Sequence, residues 1–374
     1  MANWNEYSLG QLLSYEQPTP YVVSSTKYSD TYETPVLTAG KGFILGYTNE
    51  VNGIYDKLPV IIFDDFTTAS QYVNFKFKVK SSAMKILTAN TELVLPEFIF
   101  YRMQIIEFDA STHKRYWIQH YSKIKVKIPP TISEQERIVA RIDDLFSQLN
   151  ASVAELKEAK KRLGVYRQAV LKEAFDLCPE EKALSSVCIH ITDGDHMPPP
   201  KSKTGIPFIM ISNIHHNRIN WSNTANVDRK YYANIDEKRR PQNGDVLYTV
   251  TGSFGIPVLV DYNKLFCFQR HIALLRPNKS ITQKFLYYAM QDPRVYSQAV
   301  KKATGTAQKT VGLSVLRELR IPFIEAIEVQ KKIVSKIEAH IFVCDSIEKT
   351  VDTALQQAEA LRQSILKKAF EGGL

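Results

Sequence analysis

Long apolar runs are missing from this 374-residue sequence. No stretch approaches the roughly 18 apolar residues that a transmembrane helix requires, so none is expected. The opening residues, MANWNEYSLG, lack a basic stretch followed by an apolar one. That excludes a secretory signal there and leads us to expect a cytoplasmic protein. Cysteine is scarce: Cys178, Cys188, Cys267 and Cys344 are scattered, with no C-x-x-C pair. Neither a zinc site nor a disulfide framework is expected, and Cys344 falls on a helix seam as a small hydrophobe.

Catalytic signatures are missing too. Pro129-Pro130 and Pro198-Pro199-Pro200 lack the flanking residues of an amino-methyltransferase Asn-Pro-Pro-Tyr motif. There is no Walker A sequence, and the glycine-containing turn at 251–255 is short and runs into Ile256-Pro257 rather than a helix. Asp176 with Glu180, Glu181 and Lys182 faintly resembles a nuclease carboxylate–lysine set, but it lies at a helix end beside Pro179. A solvated linker is the simpler reading. His215-His216 has no ligand-spaced partner and reads as surface loop, or at most a nucleic-acid contact. No catalytic residue, cofactor site or metal site is assigned to this chain.

What the chain does have is a repeat. Ile128-Pro129 opens a stretch that continues Gln135-Glu136-Arg137-Ile138-Val139 and closes with Arg167-Gln168-Ala169-Val170-Leu171-Lys172-Glu173-Ala174-Phe175. Ile321-Pro322 opens a second that continues Gln330-Lys331-Lys332-Ile333-Val334 and closes with Arg362-Gln363-Ser364-Ile365-Leu366-Lys367-Lys368-Ala369-Phe370. From Gln135 and Gln330 onward the two align without a gap. Both predict long helices of about 40 residues, roughly 60 Å each. Apolar residues recur at spacings of four and three, the seam of a coiled coil. The first seam is Ile138, Ile142, Leu145, Leu149, Leu156, Leu163, Tyr166 and Val170. The second is Ile333, Ile337, Ile347, Val351, Leu361 and Ile365, with His340 and Cys344 between. Ser133 with Glu136 predicts a capping box for the first helix. Two unrelated amphipathic helices would not need a shared register and shared end motifs.

The segments between are also copies. Residues 98–104 (FIFYRMQ) match 285–291 (FLYYAMQ), and each is followed by an Ile-Pro. Strands are predicted at 35–43, 58–63, 72–79, 124–128, 205–211 and 244–250, and a helix at 96–106. In the 72–79 run, Lys76 and Lys78 should occupy a basic outer face. The expected organisation is α+β: two similar α/β globules, 1–130 and 178–322, with two helical spacers, 131–177 and 323–374. A helix that follows its globule must return to serve the other, which predicts an antiparallel pair and an internal pseudo-twofold.

The net charge of +9 is uneven. Residues 178–322 carry 20 Lys/Arg against 11 Asp/Glu, hence +9, while residues 1–130 carry 13 against 12, hence +1. A basic second globule suits a polyanionic partner.

The repeated helices with their Ile-Pro openings and Ala-Phe closings resemble the DNA-specificity subunit of type I restriction–modification enzymes. Residues 305–310 (GTAQKT), the 316–322 strand, the 251–255 turn and the loop at 192–196 add to the likeness. The resemblance covers the whole chain. It implies two target recognition domains, each reading one half of an interrupted double-stranded DNA sequence. The helices would set the gap and hold two modification (methyltransferase) subunits. It also implies that S-adenosylmethionine, ATP and magnesium act in partner subunits, with restriction/translocase subunits completing the complex.

Candidate DNA contacts follow, because binding needs cations for phosphates and polar groups for base edges. In the first globule these are Lys41, Thr67, Thr68, Gln71, Lys76 and Lys85, with Lys78, Lys80, Lys114 and Arg115 as further cations. Asp64-Asp65 would accept from cytosine amino groups or cap a turn. In the second they are His196, Lys238, Arg239, Arg240, Thr251, Ser253, Phe254, Gln269, Arg270, Lys301, Lys302 and Lys309, with Arg229-Lys230. Two other classes compete. A protein-only coiled-coil adaptor leaves the basic globule unexplained. A fused methyltransferase or nuclease would need a cofactor motif that is missing.

Overall fold

The structure, a computed structural model, describes residues 4–38, 42–109, 115–196, 199–200, 202–306, 308–371 and 373. The duplicated stretches form two helices of 44 residues, Ile132–Phe175 and Ile327–Phe370. The first helix starts where the Pro129-Pro130 pair ends. Its cap is Thr131, whose hydroxyl accepts from the Glu134 amide at 3.3 Å. The expected cap at Ser133 is therefore two residues late, because Thr131 with Glu134 fits the same capping pattern and follows the prolines directly.

Packing divides the chain into two compact units, residues 1–156 with 352–374, and residues 157–351. This grouping differs from the four segments drawn by sequence repeat, because each long helix contributes to both units. In the first unit an antiparallel four-stranded sheet runs Leu13–Glu16, Met84–Ala89, Val60–Asp64, Ser70–Val73. A three-stranded sheet orders Ile44–Thr48, Thr34–Leu37 and Lys78–Val79, and Asn5–Ser8 pairs with Lys125–Ile128. The second unit repeats this plan. Its four-stranded sheet is Cys188–Asp193, Ile272–Pro277, Val246–Thr249, Pro257–Leu259. Its three-stranded sheet is Ala225–Val227, Ile206–Ile209, Cys267–Phe268, and Glu180–Ala183 pairs with Arg320–Phe323.

The end motifs of the helices are core residues. In the first unit Ile138 and Ile142 from one helix and Ile365, Leu366 and Ala369 from the other join Phe63, Phe98 and Trp117. In the second, Ile333, Val334 and Ile337 meet Leu171, Ala174 and Phe175 around Phe285 and Leu286. Phe98 meets Phe370 edge-on at 5.2 Å, and Phe285 meets Phe175 edge-on at 5.3 Å. Each globule is thus completed by the closing Ala-Phe of the other copy, and a fully buried phenylalanine such as Phe175 contributes about 1.5–3 kcal/mol by burial. Within each unit the helix segments run antiparallel.

The shared glutamine also has a structural cause. Gln135 is fully buried; its Oε1 accepts from Leu95 N at 2.8 Å and its Nε2 donates to Leu93 O and Pro129 O. Gln330 is buried alike, with Thr282 N, Ser280 O and Ile324 O each at 2.8 Å. Leu95 and Thr282 are the N-cap residues of Pro96–Met103 and Gln283–Ala289. Each glutamine therefore satisfies a helix-end amide that would otherwise be orphaned.

The seam differs from an unbroken heptad stripe. Val170, Cys344 and Val351 are buried, Leu145 and Leu149 are partly buried in the first core, and Leu156 and Leu163 are half-buried. Tyr166, Ile347 and Leu361 are 46%, 44% and 50% exposed. In the second unit the helices are tied by polar groups instead. Arg167 bridges Asp345 at 2.7 Å and Glu348 at 2.8 Å, and the Tyr166 hydroxyl meets His340 Nδ1 at 2.9 Å.

Two local expectations are corrected. The 72–79 run is not one strand: pairing stops at Val73, and Lys78–Val79 joins a different sheet beside Val36 and Leu37. The helix expected at 96–106 ends at Met103.

Candidate nucleic-acid interface

The repeated sheet brings three chain segments to the same end of each unit. In the second unit Val250 N donates to His271 O at 2.9 Å, and Val311 N donates to Val250 O at 2.8 Å. In the first, Asp65 N donates to Ala83 O at 3.4 Å, and Tyr116 N donates to Asp65 O at 2.9 Å. Residues 250, 271 and 311 therefore correspond to 65, 83 and 116, and the loops beyond them form the candidate interface.

In the second unit this edge is a cluster of polar loops. The 251–255 turn needs its glycines: Gly252 and Gly255 have φ of +69° and +95°. Thr249 Oγ1 closes the turn by donating to Ser253 O at 2.9 Å. A strap formed by residues 304–306 and 308–310 braces it, with Thr304 and Thr310 bonded reciprocally and Gly252 N donating to Lys309 O at 2.9 Å. Beside it, Gln269 N donates to Ile209 O and Arg270 N to Asp195 O, both at 3.0 Å. Three adjoining concavities open here. One, of about 360 Å³, has Phe208 and Met210 on its floor and Asp195, His196, Gln269, Arg270 and His271 around it. The others are lined by His215, His216, Ser253, Thr251, Gln308 and His271, and by Asp193, His196, Arg270 and Thr310.

Of the sequence candidates, His196, Thr251, Ser253, Gln269 and Arg270 are brought together there. Lys309 is exposed on the strap. Arg239 reaches the rim by its bridge to Asp193 at 3.5 Å, which also pairs with His196 at 2.8 Å. Thr251 is buried against Thr310, which makes it a brace rather than an open donor. Phe254 stacks on Tyr296 at 5.8 Å, turned into packing rather than towards a ligand. Arg240 is occupied locally, donating to Ile235 O at 2.9 Å and Ala233 O at 2.7 Å. Lys238 is exposed on a separate turn, and Lys301 and Lys302 lie at the end of Pro293–Lys302, where Lys302 pairs with Glu318 at 3.1 Å.

The first unit is thinner. Lys41 and Lys114 fall outside the described residues. Thr67 is exposed and Thr68 half-exposed on a turn that Asp64 caps, its Oδ1 accepting from Phe66 N at 2.8 Å and Thr67 N at 3.1 Å. Gln71, Lys76, Lys80 and Arg115 are accessible to different degrees. Lys85 is not a phosphate contact. It is 1% exposed and pairs at 3.4 Å with Asp65, whose Oδ1 also accepts from Trp117 N at 2.8 Å. Lys78 is likewise buried, against Glu50 at 3.0 Å. Asp64 therefore caps the turn, and Asp65 is a buried ion-pair partner with no open carboxylate.

Sequence reasoning missed His271 and Gln308, and Ser212, which lines the second concavity beside His215. Gln308 lay inside a motif already singled out, and His271 follows Gln269-Arg270 directly. The nuclease-like set is dispersed, with Asp176 on Arg294 at 2.9 Å, Glu181 on Arg320 at 3.5 Å and Lys182 over the Phe323 ring. Burial pushes the Cys178 thiol up to about 11 and those of Cys188 and Cys267 up to about 12, so none is a ready nucleophile. Among the described residues no His/Cys/Asp/Glu group is arranged for a metal, and no helix is long and apolar enough to cross a membrane.

Residues 1–160 and 181–357 match the type I restriction modification DNA specificity domain, once for each half of the repeat. The chain belongs to this family. Among curated relatives, the EcoR124I/EcoR124II specificity subunit of Escherichia coli is 49% identical over 175 residues, 44% of this chain and 43% of that one. The EcoBI specificity subunit of Escherichia coli is 27% identical over 275 residues, 66% of this chain and 57% of that one. The chain thus spans about half the length of the curated relatives it matches. A solved chain from work on assembly and conformational transition of the type I R-M system superposes with a TM-score of 0.72 at 19% identity. It covers 100% of this specificity-family chain and 99% of its own, which shows a common fold.

Proposed function

We propose that this chain is the sequence-reading, non-catalytic subunit of a type I restriction–modification complex, and that it binds a bipartite, interrupted double-stranded DNA target. Each globule reads one half-site. The long helices fix the gap and scaffold two modification subunits and the restriction subunits. S-adenosylmethionine, ATP and magnesium belong to those partners, and the complex works in the cytoplasm. The observation that carries this reading is one backbone frame built twice with different residues at its open edge: Arg270-His271 in one unit, Ser82-Ala83 in the other. A duplicated scaffold with unlike edges suits an asymmetric target.

The test is co-expression with the cognate modification subunits and mapping of methylated positions on genomic DNA. A single asymmetric interrupted motif is expected, and the chain alone should not turn over S-adenosylmethionine. A stable complex without sequence-specific methylation would favour the protein-only adaptor. Lengthening both helices by one heptad, roughly 10 Å of helix, should change the gap and leave both half-sites as they were.

A further inference from the structure

We propose that Arg270 is a specificity-determining residue that reads a guanine in the half-site facing the second unit. This rests on the DNA-reading function above and deepens it. Arg218 and Arg229 of this unit are exposed as well but line none of the three concavities, and most of its other arginines are held by the protein. Arg239 bridges Asp193, Arg240 donates to two carbonyls, and Arg276 donates bidentately to the Asp245 carboxylate, both bonds at 2.9 Å. Arg294, Arg317 and Arg320 are bound to Asp292, Ile191 O and Glu181 O. Arg270 is exposed, and among the described residues its guanidinium has no hydrogen bond or ion pair.

Its backbone is fixed none the less. The Arg270 amide is bound to Asp195 O, its predecessor's amide to Ile209 O, and Ile272 N to Gln269 O at 3.1 Å. Asp195, whose carbonyl holds the Arg270 amide, accepts the Tyr231 hydroxyl at its carboxylate Oδ2 at 2.7 Å. Arg270 lines two of the three concavities and His271 lines all three. A free planar donor pair on an anchored backbone is pre-organised for two acceptors side by side. In the major groove that pattern is O6 and N7 of guanine. A phosphate-binding cation would need charge alone. The corresponding residue of the first unit is Ser82, so its half-site is read without this contact.

The experiment maps the methylation motif of the assembled complex with wild-type chain, Arg270→Ala and Arg270→Lys, and measures DNA affinity against salt for each. The wild type should give a motif with a fixed guanine. Arg270→Ala should relax that one position, lowering discrimination roughly 5- to 150-fold, with the other half-site and the gap unchanged. Arg270→Lys keeps the charge but not the paired donors, so it should lose discrimination with the salt slope intact. An unchanged motif in Arg270→Ala overturns the proposal. So does uniform weakening on all sequences with a flatter salt slope, which marks a phosphate contact. Failure of the broader reading shows separately, as a wild-type complex without any sequence-specific motif.

Discussion

The two units place Asp65 and Val250 at one position of a common frame, yet fill the space around it in opposite ways. Phe63 pairs with Lys85 across the sheet in the first unit, and Tyr248 with Ala273 in the second. So Asp65 and Lys85, both almost fully buried, stand where the second unit has Val250 and Ala273. Strand register fixes the backbone, and the side chains can then be ionic or apolar provided the set is self-consistent. A buried pair is weak evidence for extra stability, because desolvation offsets most of its attraction. The consequence for function is direct. The first unit turns two of its lysines inward, whereas the second leaves cations on its edge.

The largest effect should come from breaking the ion pair on one side only. Lys85→Ala strands the Asp65 carboxylate in the core and should cost about 3–5 kcal/mol. Adding Asp65→Val recreates the pair of residues found in the second unit and should recover most of that loss. Some of it will remain, because Trp117 N loses its acceptor. Denaturant unfolding followed by fluorescence reads this, since Trp4 and Trp117 lie in the first unit and Trp221 in the second. If the double variant were as unstable as the single one, the equivalence of the two positions would be wrong.

The glutamines sharpen the comparison from the other direction, because there the units agree. Gln135→Ala and Gln330→Ala should each lower stability by about 1–3 kcal/mol, leaving a helix-end amide unpaired. Thermal unfolding of the two variants should give shifts of similar size. A silent variant in one unit would mean that water takes over the bond there.

What could be read from the sequence follows the range of the interactions. The long helices were legible because their repeat of four and three is local and occurs twice. Antiparallel return of the helices was legible as well, since a helix that follows its globule must return to serve the other. Burial of Lys85 was not legible: its partner Asp65 is 20 residues away, and the Met84–Leu87 run is buried on both faces, so no alternation marks the lysine as inward. Lys78 is buried although the alternation of the 72–79 run assigns it outward, because its strand joins a second sheet. The sequence offers Arg240 as a phosphate contact but carries no sign that the carbonyls of Ala233 and Ile235 engage its guanidinium. On the interface, residue types were readable from chemistry, but the meeting of the 251–255, 269–271 and 304–310 loops depends on sheet order. His271 and Gln308 therefore came only with the fold.

The smallest expected effect concerns the polar ties between the helices of the second unit, which the first unit largely replaces with packing. Hydrogen bonding to Arg167 holds the Glu348 carboxyl below the usual carboxylate range against the opposing effect of burial, and the Lys336 bond lowers Glu173. A depressed folded pKa means that stability is present above the unfolded value, roughly 4.3, and is lost as pH falls through the folded one. Between pH 7 and pH 5 these ties should therefore contribute unchanged. Arg167→Met should lose no more than about 1 kcal/mol at pH 7, because the pair is partly exposed. The gap between wild type and variant should close as the solution is acidified below pH 4. Thermal unfolding of both proteins across that range measures it, and a gap that persisted in acid would assign the contribution of Arg167 to packing of its alkyl stem rather than to its charge.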